Sequence, residues 1–430
     1  MDRVSLRRLR NQPGYLPFVS AATLARVSDE MFSVGVVLLV LDRTDSPGLA
    51  GLAVAAITLP SLISGPLLGA WLDLTGRRRN LMVLDQLLIT TMLVVLVLVA
   101  GNTPDWVIPL TVLMAGLTYP LSFGGFTSFI PVLVPGDLLP PANALETTSF
   151  NGALVIGPAL AGGLSGAFGP ETSLLVEAGL ALVALVLILR IPGLDRGRDR
   201  RGGDRTLLGV AVDGIRQIVA VPELRGITAA GVIGLGGLGL MTVAFPLFAV
   251  EQLGGEPSDA GFMWAAFAVG STLGALSLVR LQRRVPPERI VLAGYAVFGV
   301  LMLTWPLAGE LPALLALIAL AGLADGPALA AQFAVRQQVV PPSLYGQVFT
   351  TAAGLKVGAF AMGAALAGPV ATGLGSAEAM LVAAAVQVLA AVVGVTLMRM
   401  PARALTQASP GGSGFDSSPP SRSCSPSSGR

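Results

Sequence analysis

Twelve long apolar runs, separated by charged or turn-forming residues, constrain this chain more than any other feature of its sequence. Each run holds about 20 or more largely apolar residues, the length that an α-helix needs to cross a bilayer. Only 12% of the 430 residues are charged, against roughly 25% in soluble domains. The predicted fold class is therefore an all-α membrane protein with twelve transmembrane helices. The runs cover residues 15–41, 49–72, 81–100, 106–130, 143–168, 172–191, 226–250, 260–281, 290–308, 311–335, 343–373 and 378–398.

The residues that the sequence lacks exclude several chemistries. Without histidine and with the single cysteine Cys424, the chain cannot build a His/Cys zinc site, a haem ligand pair, a Ser-His-Asp triad or an internal disulfide. A GxxxxGK(S/T) phosphate-binding loop is also absent, and no glycine-rich loop precedes Lys356. The net charge of +2 is too small to indicate nucleic acid as a partner. We therefore predict no enzyme activity, no metal and no cofactor.

Arginine is distributed unevenly between the two sides of the predicted bundle. If the helices alternate, one side carries the N-terminal cluster of Arg3, Arg7, Arg8 and Arg10, whereas the opposite loops hold Arg43 and otherwise only acids. The other arginines on the first side are Arg77, Arg78, Arg79, Arg190, Arg196, Arg198, Arg200, Arg201, Arg205, Arg283, Arg284, Arg289, Arg336, Arg399 and Arg403. By the positive-inside rule, we expect a multi-pass protein of the cell membrane with both termini in the cytoplasm. The first run is too long for a signal-peptide core and lacks a cleavage site, so we expect it to be retained.

The chain divides in the middle into two sets of six runs that repeat each other. Gly157-Pro158-Ala159-Leu160-Ala161-Gly162 aligns at an offset of 206 residues with Gly363-Ala364-Ala365-Leu366-Ala367-Gly368. Two parallel six-helix halves with a substrate site between them are a known transporter plan. Between the halves, an amphipathic piece near Leu207 to Val221 suits a helix that lies on the cytoplasmic surface. The predicted domains are a cytoplasmic N-terminal tail (1–14), a first six-helix bundle (15–191), a cytoplasmic linker with the amphipathic segment (192–225), a second six-helix bundle (226–400) and a disordered cytoplasmic tail (401–430).

The loop between the second and third runs reads Gly69-Ala-Trp-Leu-Asp73-Leu-Thr-Gly76-Arg77-Arg78-Arg79. Gly69 allows close helix packing, Gly76 permits a tight turn, and the arginines suit the cytoplasmic interface. Asp73 can pair with an arginine or face a helix N-terminus, where its charge is favoured by roughly 0.3 to 1 kcal/mol. The pattern resembles the GxxxDxxGRR loop of the major facilitator superfamily, which implies that the loop latches the two halves in the outward-facing state. The alternative is an ordinary arginine-rich cytoplasmic loop. The aligned second-half loop ends in Arg283 and Arg284 but lacks the Asp and the Gly, so we expect it to be structural.

Small residues and a proline recur in the fifth run, at Gly152, Gly157-Pro158 and Gly162-Gly163. Proline bends a helix, and glycines thin one face for contact with the other half. These residues resemble the glycine-proline motif of drug and proton antiporters, although Ala153 and Ala161 stand where glycine is usual. Upstream, Pro131-Val-Leu-Val-Pro135 and Ala142-Asn143-Ala144-Leu145 resemble the branch of the superfamily that contains macrolide and siderophore exporters. Generic packing of membrane helices is the alternative reading of the glycines.

Charged residues inside the apolar runs are candidates for proton coupling and substrate binding. A charge at a helix centre costs about 2.5 to 3.5 kcal/mol, so one that is kept usually faces a cavity or a partner. The candidates are Arg26, Asp29, Glu30, Glu177, Asp325 and Lys356. In the superfamily, helices one, four, seven and ten line the cavity, which favours Asp29, Glu30 and Asp325. We expect Arg26 and Glu30, four residues apart, to neutralise each other, and Asp29 to alternate between a proton and the Lys356 ammonium. Structural pairing is the alternative for each.

Three aromatic residues, Tyr119, Phe123 and Phe245, are expected to form an apolar wall that suits large amphipathic substrates, with plain packing as the alternative. Together with the motifs, this predicts a monomeric, proton-coupled exporter (an antiporter) of hydrophobic or amphipathic small molecules that works by alternating access. Its partners would be the substrate, protons and the lipid bilayer, and its effect would be efflux and resistance to antibiotics or release of siderophore-like metabolites. The fifth-run motif and the lack of an obvious polar sugar site favour export. The alternatives are a solute importer of the same fold and a non-transporting membrane receptor or scaffold.

Overall fold

The computed structural model describes residues 3–192, 194, 206–281 and 284–400, and every regular element in these ranges is helical. The predicted all-α class is therefore confirmed. The first half contains α1 (Arg3–Arg10), α2 (Tyr15–Thr44), α3 (Pro47–Thr58), α4 (Ser61–Thr75), α5 (Arg78–Val99), α6 (Val107–Gly116), a π-helical segment (Leu121–Gly125), α7 (Ile130–Leu133), α8 (Leu139–Phe168) and α9 (Pro170–Leu189). The amphipathic α10 (Leu207–Ala220) precedes the second half, which contains α11 (Pro222–Gly239), α12 (Met241–Glu251), α13 (Asp259–Leu281), α14 (Pro287–Met302), α15 (Leu311–Val339), α16 (Tyr345–Leu374) and α17 (Ser376–Arg399).

Eleven helical stretches of the described chain are long and apolar enough to cross a membrane. α2 is not among these eleven; it has the length of a span, with 30 residues, but carries Arg26, Asp29 and Glu30 near its middle. It corresponds to the first predicted run, 15–41. The second predicted span is broken into α3 and α4 around Pro60, because proline has no backbone N–H to continue the helical hydrogen bonds. The linker residues 195–205 and the tail 401–430, for which we predicted a polar linker and disorder, lie outside the described ranges.

Helices pack mainly within each half, and they do so in the same pattern in both. In the first half α2 packs against α8 and α9, and in the second half α11 packs against α16 and α17. Gly157 of α8 lies against Glu30 and Met31 of α2, while Gly363 of α16 lies against Gly236 of α11. Glu30 and Gly236 are separated by the same 206 residues as the two glycines. The sequence repeat therefore corresponds to a repeated helix contact.

The two halves meet at the end of the bundle that carries the loop between α4 and α5. We call this the arginine-rich end, because Arg77, Arg78 and Arg79 lie there. α16 packs along α4 and against the π-helical segment, and α8 packs against α13 and α15. Within the described ranges, the hydrogen bonds that join the halves all lie between this end and the middle of the bundle. α2 and α12, which both run to the opposite end, share no packed interface among the described helices.

Large apolar side chains lie on the outside of the bundle, and charged side chains lie inside it. Ile63 is 72% exposed and Leu98 is 65% exposed, whereas Asp85 and Glu177 are fully buried. This is the reverse of the distribution in a soluble protein, and it fits a chain whose solvent is lipid.

Candidate functional site

The Asp73 carboxylate of α4 binds the first turn of α16 in the other half. It accepts hydrogen bonds from the backbone N–H groups of Gly346 at 3.0 Å and Gln347 at 2.9 Å. These N–H groups have no partner inside their own helix, and the helix dipole favours a negative charge at this place. The sequence analysis left two partners for Asp73, an arginine or a helix N-terminus, and the structure contains the contact with a helix N-terminus. This contact joins the two halves at the arginine-rich end.

Gly69 and Gly76 of the same loop are glycines for different structural reasons. A Cβ on Gly69 would lie 2.5 Å from the Cα of Gln347 and 2.7 Å from the carbonyl oxygen of Gly346, so only glycine permits this approach of α4 to α16. Gly76 ends α4 in the left-handed conformation, with φ of 62°, which glycine adopts without steric cost. The close helix packing expected at Gly69 and the tight turn expected at Gly76 are thus confirmed.

The three arginines of the loop do not share one environment. Arg77 is exposed at the start of α5, but Arg78 is buried and its guanidinium lies 5.2 Å from the centre of the Phe129 ring. Arg79 donates a hydrogen bond of 2.6 Å to the carbonyl oxygen of Ile191, just beyond the end of α9. Arg78 is therefore covered by Phe129, which immediately precedes α7, and the expectation that all three arginines lie in the cytoplasmic interface stays a prediction. Arg336, counted with the loop arginines, is likewise buried in the last turns of α15.

Small residues and an amide pair extend the contact between the halves towards the middle of the bundle. The Thr350 hydroxyl of α16 donates to the Gly65 carbonyl of α4 at 2.7 Å. A Cβ on Gly124, in the π-helical segment, would lie 2.6 Å from the Cα of Thr350. Asn143 of α8 and Gln337 of α15 exchange two amide hydrogen bonds of 2.9 Å each. These contacts close the arginine-rich end with interactions that are individually weak enough to break.

Arg26 of α2 is paired with Glu146 of α8 and not with Glu30. Its guanidinium donates to both Glu146 oxygens, at 2.5 and 3.1 Å, and to the Ser149 hydroxyl at 3.0 Å. Arg26 and Glu146 are almost completely buried. The expected neutralisation of Arg26 by Glu30 was therefore wrong, because a carboxylate from a packed neighbour allows bidentate geometry that a residue one turn along the same helix does not. Glu146 was missed, although it lies inside the predicted run 143–168 and met the criterion used for the other charges.

Asp29 and Lys356 lie in different halves and have different neighbours. Asp29 is buried in the first half, where it interacts electrostatically with Asp85. Lys356 is partly exposed; it passes Gly231 of α11 and interacts with Asp325 of α15. Among the described residues, no ion pair within 4.0 Å joins Asp29 to Lys356. The structure thus lacks the Asp29–Lys356 pair of the expected exchange, and Lys356 interacts electrostatically with an acid of its own half; the binding of a proton by Asp29 stays a prediction.

A row of aromatic rings crosses from the first half to the second. Ring centres are 4.9 Å apart for Tyr119 and Phe123, 5.4 Å for Phe123 and Phe150, and 6.0 Å for Phe150 and Phe333. We call these four residues the aromatic row; all except Phe333 are partly exposed. The Arg26 guanidinium lies 4.1 Å from the centre of the Phe150 ring, so the row rests on the buried ion pair. Glu30 of α2 and Asp325 of α15 are also partly exposed near the middle of their helices.

Phe245 does not join this row. It is buried in the core of the second half, with its ring centre 5.2 Å from Trp264 and 5.8 Å from Trp305. The expectation that Phe245 shares a wall with Tyr119 and Phe123 was therefore wrong, because α12 turns this ring towards α13 and away from the first half. Phe150 and Phe333, which do complete the row, stand in runs rich in apolar residues and had no distinguishing signal in the sequence.

The glycines of α8 do not form one contact surface with the other half. Gly157, next to Pro158, packs on α2 of its own half, and a Cβ there would lie 2.5 Å from the Cβ of Glu30. Gly152, Gly162 and Gly163 have nothing within 4 Å of an added Cβ. The expectation that these glycines thin one face of α8 for contact with the other half was therefore wrong in this structure. α8 meets the other half through larger side chains instead, such as Asn151, which hydrogen bonds to Thr272 of α13 at 3.4 Å.

The amphipathic helix α10 packs across the closed end. Val210 and Ala211 lie against Leu67 and Ala70 of α4, and Gly214 lies against the Gln347 side chain of α16. Ile218 is buried in a core of the second half, whereas Leu207, Leu208, Val212, Ile215 and Val219 are exposed. A helix with one packed and one exposed apolar face suits the boundary between protein and lipid headgroups.

Comparisons with known proteins point to one family. The sequence model of the Major Facilitator Superfamily matches residues 18–349 and, in a second match, residues 227–422. An uncharacterized MFS-type transporter, y4rN, of Sinorhizobium fredii is 33% identical over 384 residues, which are 86% of this chain and 92% of that protein. The multidrug efflux pump Tap of Mycolicibacterium fortuitum is 29% identical over 390 residues, 88% of this chain and 94% of that pump.

Solved structures share the fold at low sequence identity. A bacterial homologue of the iron transporter ferroportin, in an outward-facing state, superposes with a TM-score of 0.72 at 18% identity and covers 89% of this chain and 98% of its own. The human organic anion transporter MFSD10 (TETRAN) superposes with a TM-score of 0.68 at 16% identity and covers 88% of this chain and 98% of its own. At these identities the similarity concerns the fold alone.

Proposed function

The chain belongs to the major facilitator superfamily, a family of membrane transporters and not of enzymes, and from that premise we propose that it exports hydrophobic or amphipathic small molecules in exchange for protons. In this proposal the protein works in the cell membrane as a monomer, by alternating access, with both termini in the cytoplasm. Efflux lowers the internal concentration of such compounds, antibiotics included. The multidrug efflux pumps named Tap, at 27 to 29% identity, support the direction of transport.

The observation that carries the proposal is the aromatic row with the acid Glu30 beside it. Tyr119, Phe123 and Phe150 present partly exposed rings near the middle of the bundle. Apolar rings with a few polar groups bind molecules of varied shape, because stacking and burial do not demand one pattern of hydrogen bonds. Glu30, which is partly exposed and interacts electrostatically with Tyr119 of the row, would orient charged groups of a bound molecule.

Contacts at the arginine-rich end bear on which side of the membrane the bundle opens to. The positive-inside rule puts this end in the cytoplasm, so the described state would be closed inside and would face outward. The Asp73 contact with α16 would then hold the outward-facing state, from which a substrate is released and protons enter. Asp29 and Glu30, adjacent on α2, are the acids proposed to take up those protons.

Transport by inverted membrane vesicles tests this function. Vesicles from cells that express the full chain are energised to an acid interior, and accumulation of ethidium, an amphipathic fluorescent dye, is followed. We expect uphill accumulation that a protonophore abolishes, and none in vesicles from cells without the protein. Accumulation in right-side-out vesicles only would indicate an importer. Absence of transport for a panel of hydrophobic compounds in both orientations would contradict transport of this substrate class.

A further inference from the structure

Three carboxyl groups from three helices converge inside the first half, away from the aromatic row. Asp29 of α2, Asp85 of α5 and Glu177 of α9 are each at most 3% exposed. Asp29 interacts electrostatically with both of the others. The Ser122 hydroxyl, in the π-helical segment, lies within hydrogen-bonding reach of Asp29 and donates to Asp85 at 3.4 Å. We call Asp29, Asp85 and Glu177 the carboxyl cluster.

Several oxygen atoms of this cluster have no hydrogen-bond partner in the described part of the chain. They are Asp29 Oδ2, Asp85 Oδ1 and both carboxyl oxygens of Glu177. The Ser173 hydroxyl of α9 is also fully buried and has no hydrogen-bond partner among the described residues. Ser173 Oγ and Glu177 Oε2 border the same space beside Gly35, at 3.6 and 3.7 Å from the position of an added Cβ. A buried polar group left unpaired is costly, so a ligand that supplies hydrogen bonds belongs at this place.

The charged groups around the cluster do not neutralise it. On α2, Arg26 is committed to Glu146 of α8, and Glu30 adds a further acid. From the fourth predicted span, Tyr119 faces Asp29 and Glu30. No ion pair within 4.0 Å involves any of the three carboxyls in the described residues. Three buried carboxylates without a cation would cost several kcal/mol each, so the cluster requires a positively charged ligand.

A proton fits this site better than a metal ion does. In the ranges that the structure describes, no three acidic side chains are arranged so that they could hold a metal ion. Bound protons remove the charge and also provide O–H donors for the unpartnered oxygen atoms, Ser173 Oγ included. Both deficits of the cluster, in charge and in donors, are thus met by one ligand.

We propose that Asp29, Asp85 and Glu177 form a proton-binding site built into the first half, with Glu30 as its link to the substrate space. The site deepens the proposed function and rests on it, since the proton is the proposed coupling ion. Asp29 and Glu30 are adjacent on α2, and Tyr119 of the aromatic row interacts electrostatically with both. A substrate at the row would therefore change the charge balance that Glu30 and Asp29 share, without touching Asp85 or Glu177.

The test replaces Asp85 and Glu177, the two residues of the carboxyl cluster that lie away from the aromatic row. Asp85→Asn and Glu177→Gln are purified as the full chain, together with Glu171→Gln as the matched control. Glu171 lies on the same helix as Glu177 but is paired with Arg43 at the opposite end. Infrared difference spectra between acid and alkaline pH report protonated carboxyl groups in each protein, with no substrate needed. Ethidium accumulation driven by a proton gradient and downhill ethidium exchange are measured in proteoliposomes.

We expect Asp85→Asn and Glu177→Gln each to lose part of the protonated-carboxyl signal that wild type and Glu171→Gln retain. We further expect gradient-driven accumulation to fall at least tenfold, with downhill exchange within about twofold of wild type. Unchanged carboxyl signals in both variants would overturn the proposal, as would loss of the wild-type signal on addition of sodium at constant pH. A wild type that keeps the signal but never couples transport to protons would instead overturn the proposed function.

Discussion

At the scale of single residues, the partners of buried charges follow helix packing and not spacing along the chain. Arg26 and Glu30 are one helical turn apart, yet Arg26 binds Glu146 on a different helix. Asp73 likewise binds backbone N–H groups of residues in the other half. In each case the packed neighbour offers two hydrogen bonds in good geometry. These offset the free-energy cost of desolvating the charge better than one contact along the same helix does.

The Arg26 and Glu146 pair predicts a stability effect. Glu146→Gln leaves the buried Arg26 guanidinium without a counter-charge, which is expected to destabilise the fold by about 3–5 kcal/mol. Thermal unfolding of the purified protein in detergent measures the loss. The double variant Arg26→Met with Glu146→Gln should recover part of it, because no uncompensated charge remains. An unfolding midpoint of Glu146→Gln equal to that of Glu171→Gln would show that the pair contributes little.

The Asp73 contact predicts a shift between conformations. Asp73→Asn removes the charge and one of two good acceptors at the α16 N-terminus, a loss of about 1.5–3 kcal/mol. We expect normal insertion, weak transport, and roughly ten- to hundredfold more opening at the arginine-rich end. Labelling of a Thr351→Cys reporter in a Cys424→Ser background measures the opening, because Thr351 is buried in the closed state. Asp137→Asn, which breaks an exposed pair with Arg8 at the same end, is the control. Wild-type transport by Asp73→Asn at equal abundance would contradict the latch.

At the scale of helices, glycine decides which faces approach each other. Gly69 brings α4 onto α16, Gly124 brings the π-helical segment onto α16, and Gly157 brings α8 onto α2. Association of helices in a bilayer depends on packing and hydrogen bonding, since lipid is as apolar as leucine. A glycine at a contact therefore has a much larger effect than one on the lipid-facing side.

Two glycines on α8 offer a matched comparison of this effect. Gly157→Ala would place its Cβ 2.5 Å from the Cβ of Glu30 and 3.0 Å from the Met31 nitrogen, so α8 and α2 must separate. We expect a loss of about 1–3 kcal/mol in the free energy of unfolding, typical of overpacking. Gly163→Ala meets nothing within 4 Å and should leave the unfolding midpoint unchanged or slightly raised. Equal midpoints for the two variants would contradict the contact at Gly157.

At the scale of the whole molecule, a small number of hydrogen bonds, all between the arginine-rich end and the middle, join the two halves in the described part of the chain. Asp73 with α16, Thr350 with Gly65, and Asn143 with Gln337 all lie between the arginine-rich end and the middle. Each half, by contrast, has its own apolar cores and its own repeated helix contacts. Motion of one half against the other would therefore break few hydrogen bonds, which suits the alternating access proposed for this chain.

Cross-linking the halves predicts arrest of transport. The Asn143 and Gln337 side chains exchange hydrogen bonds of 2.9 Å, so cysteines at both positions are within reach of a short bis-methanethiosulfonate cross-linker, which bonds to each thiol through a reducible disulfide. In a Cys424→Ser background, cross-linked Asn143→Cys with Gln337→Cys should lose transport and regain it on reduction. Each single variant, treated in the same way, is the control. Transport that persists at full rate with both halves cross-linked would contradict opening at this end.

The all-α class, the apolar spans, the internal repeat and the α4–α5 loop could be predicted from the amino-acid sequence. These follow from rules that act on each helix alone: an apolar length that matches the bilayer, and a glycine where the chain must turn, such as Gly76. The superfamily was recognisable for the same reason, because the loop around Asp73 carries its pattern in consecutive residues.

The contacts between buried groups could not be predicted in this way, because they depend on how the helices pack. The sequence indicated that Arg26, Asp29 and Lys356 need partners, but the partners depend on the rotation of each helix about its axis and on its distant neighbours. Thus Glu146 took the place expected for Glu30, Lys356 fell beside Asp325, and Phe245 turned into the second half. The apolar pattern does not encode these rotations, since lipid accepts any apolar face. They are set by close contacts of small residues, such as Gly157 on α2.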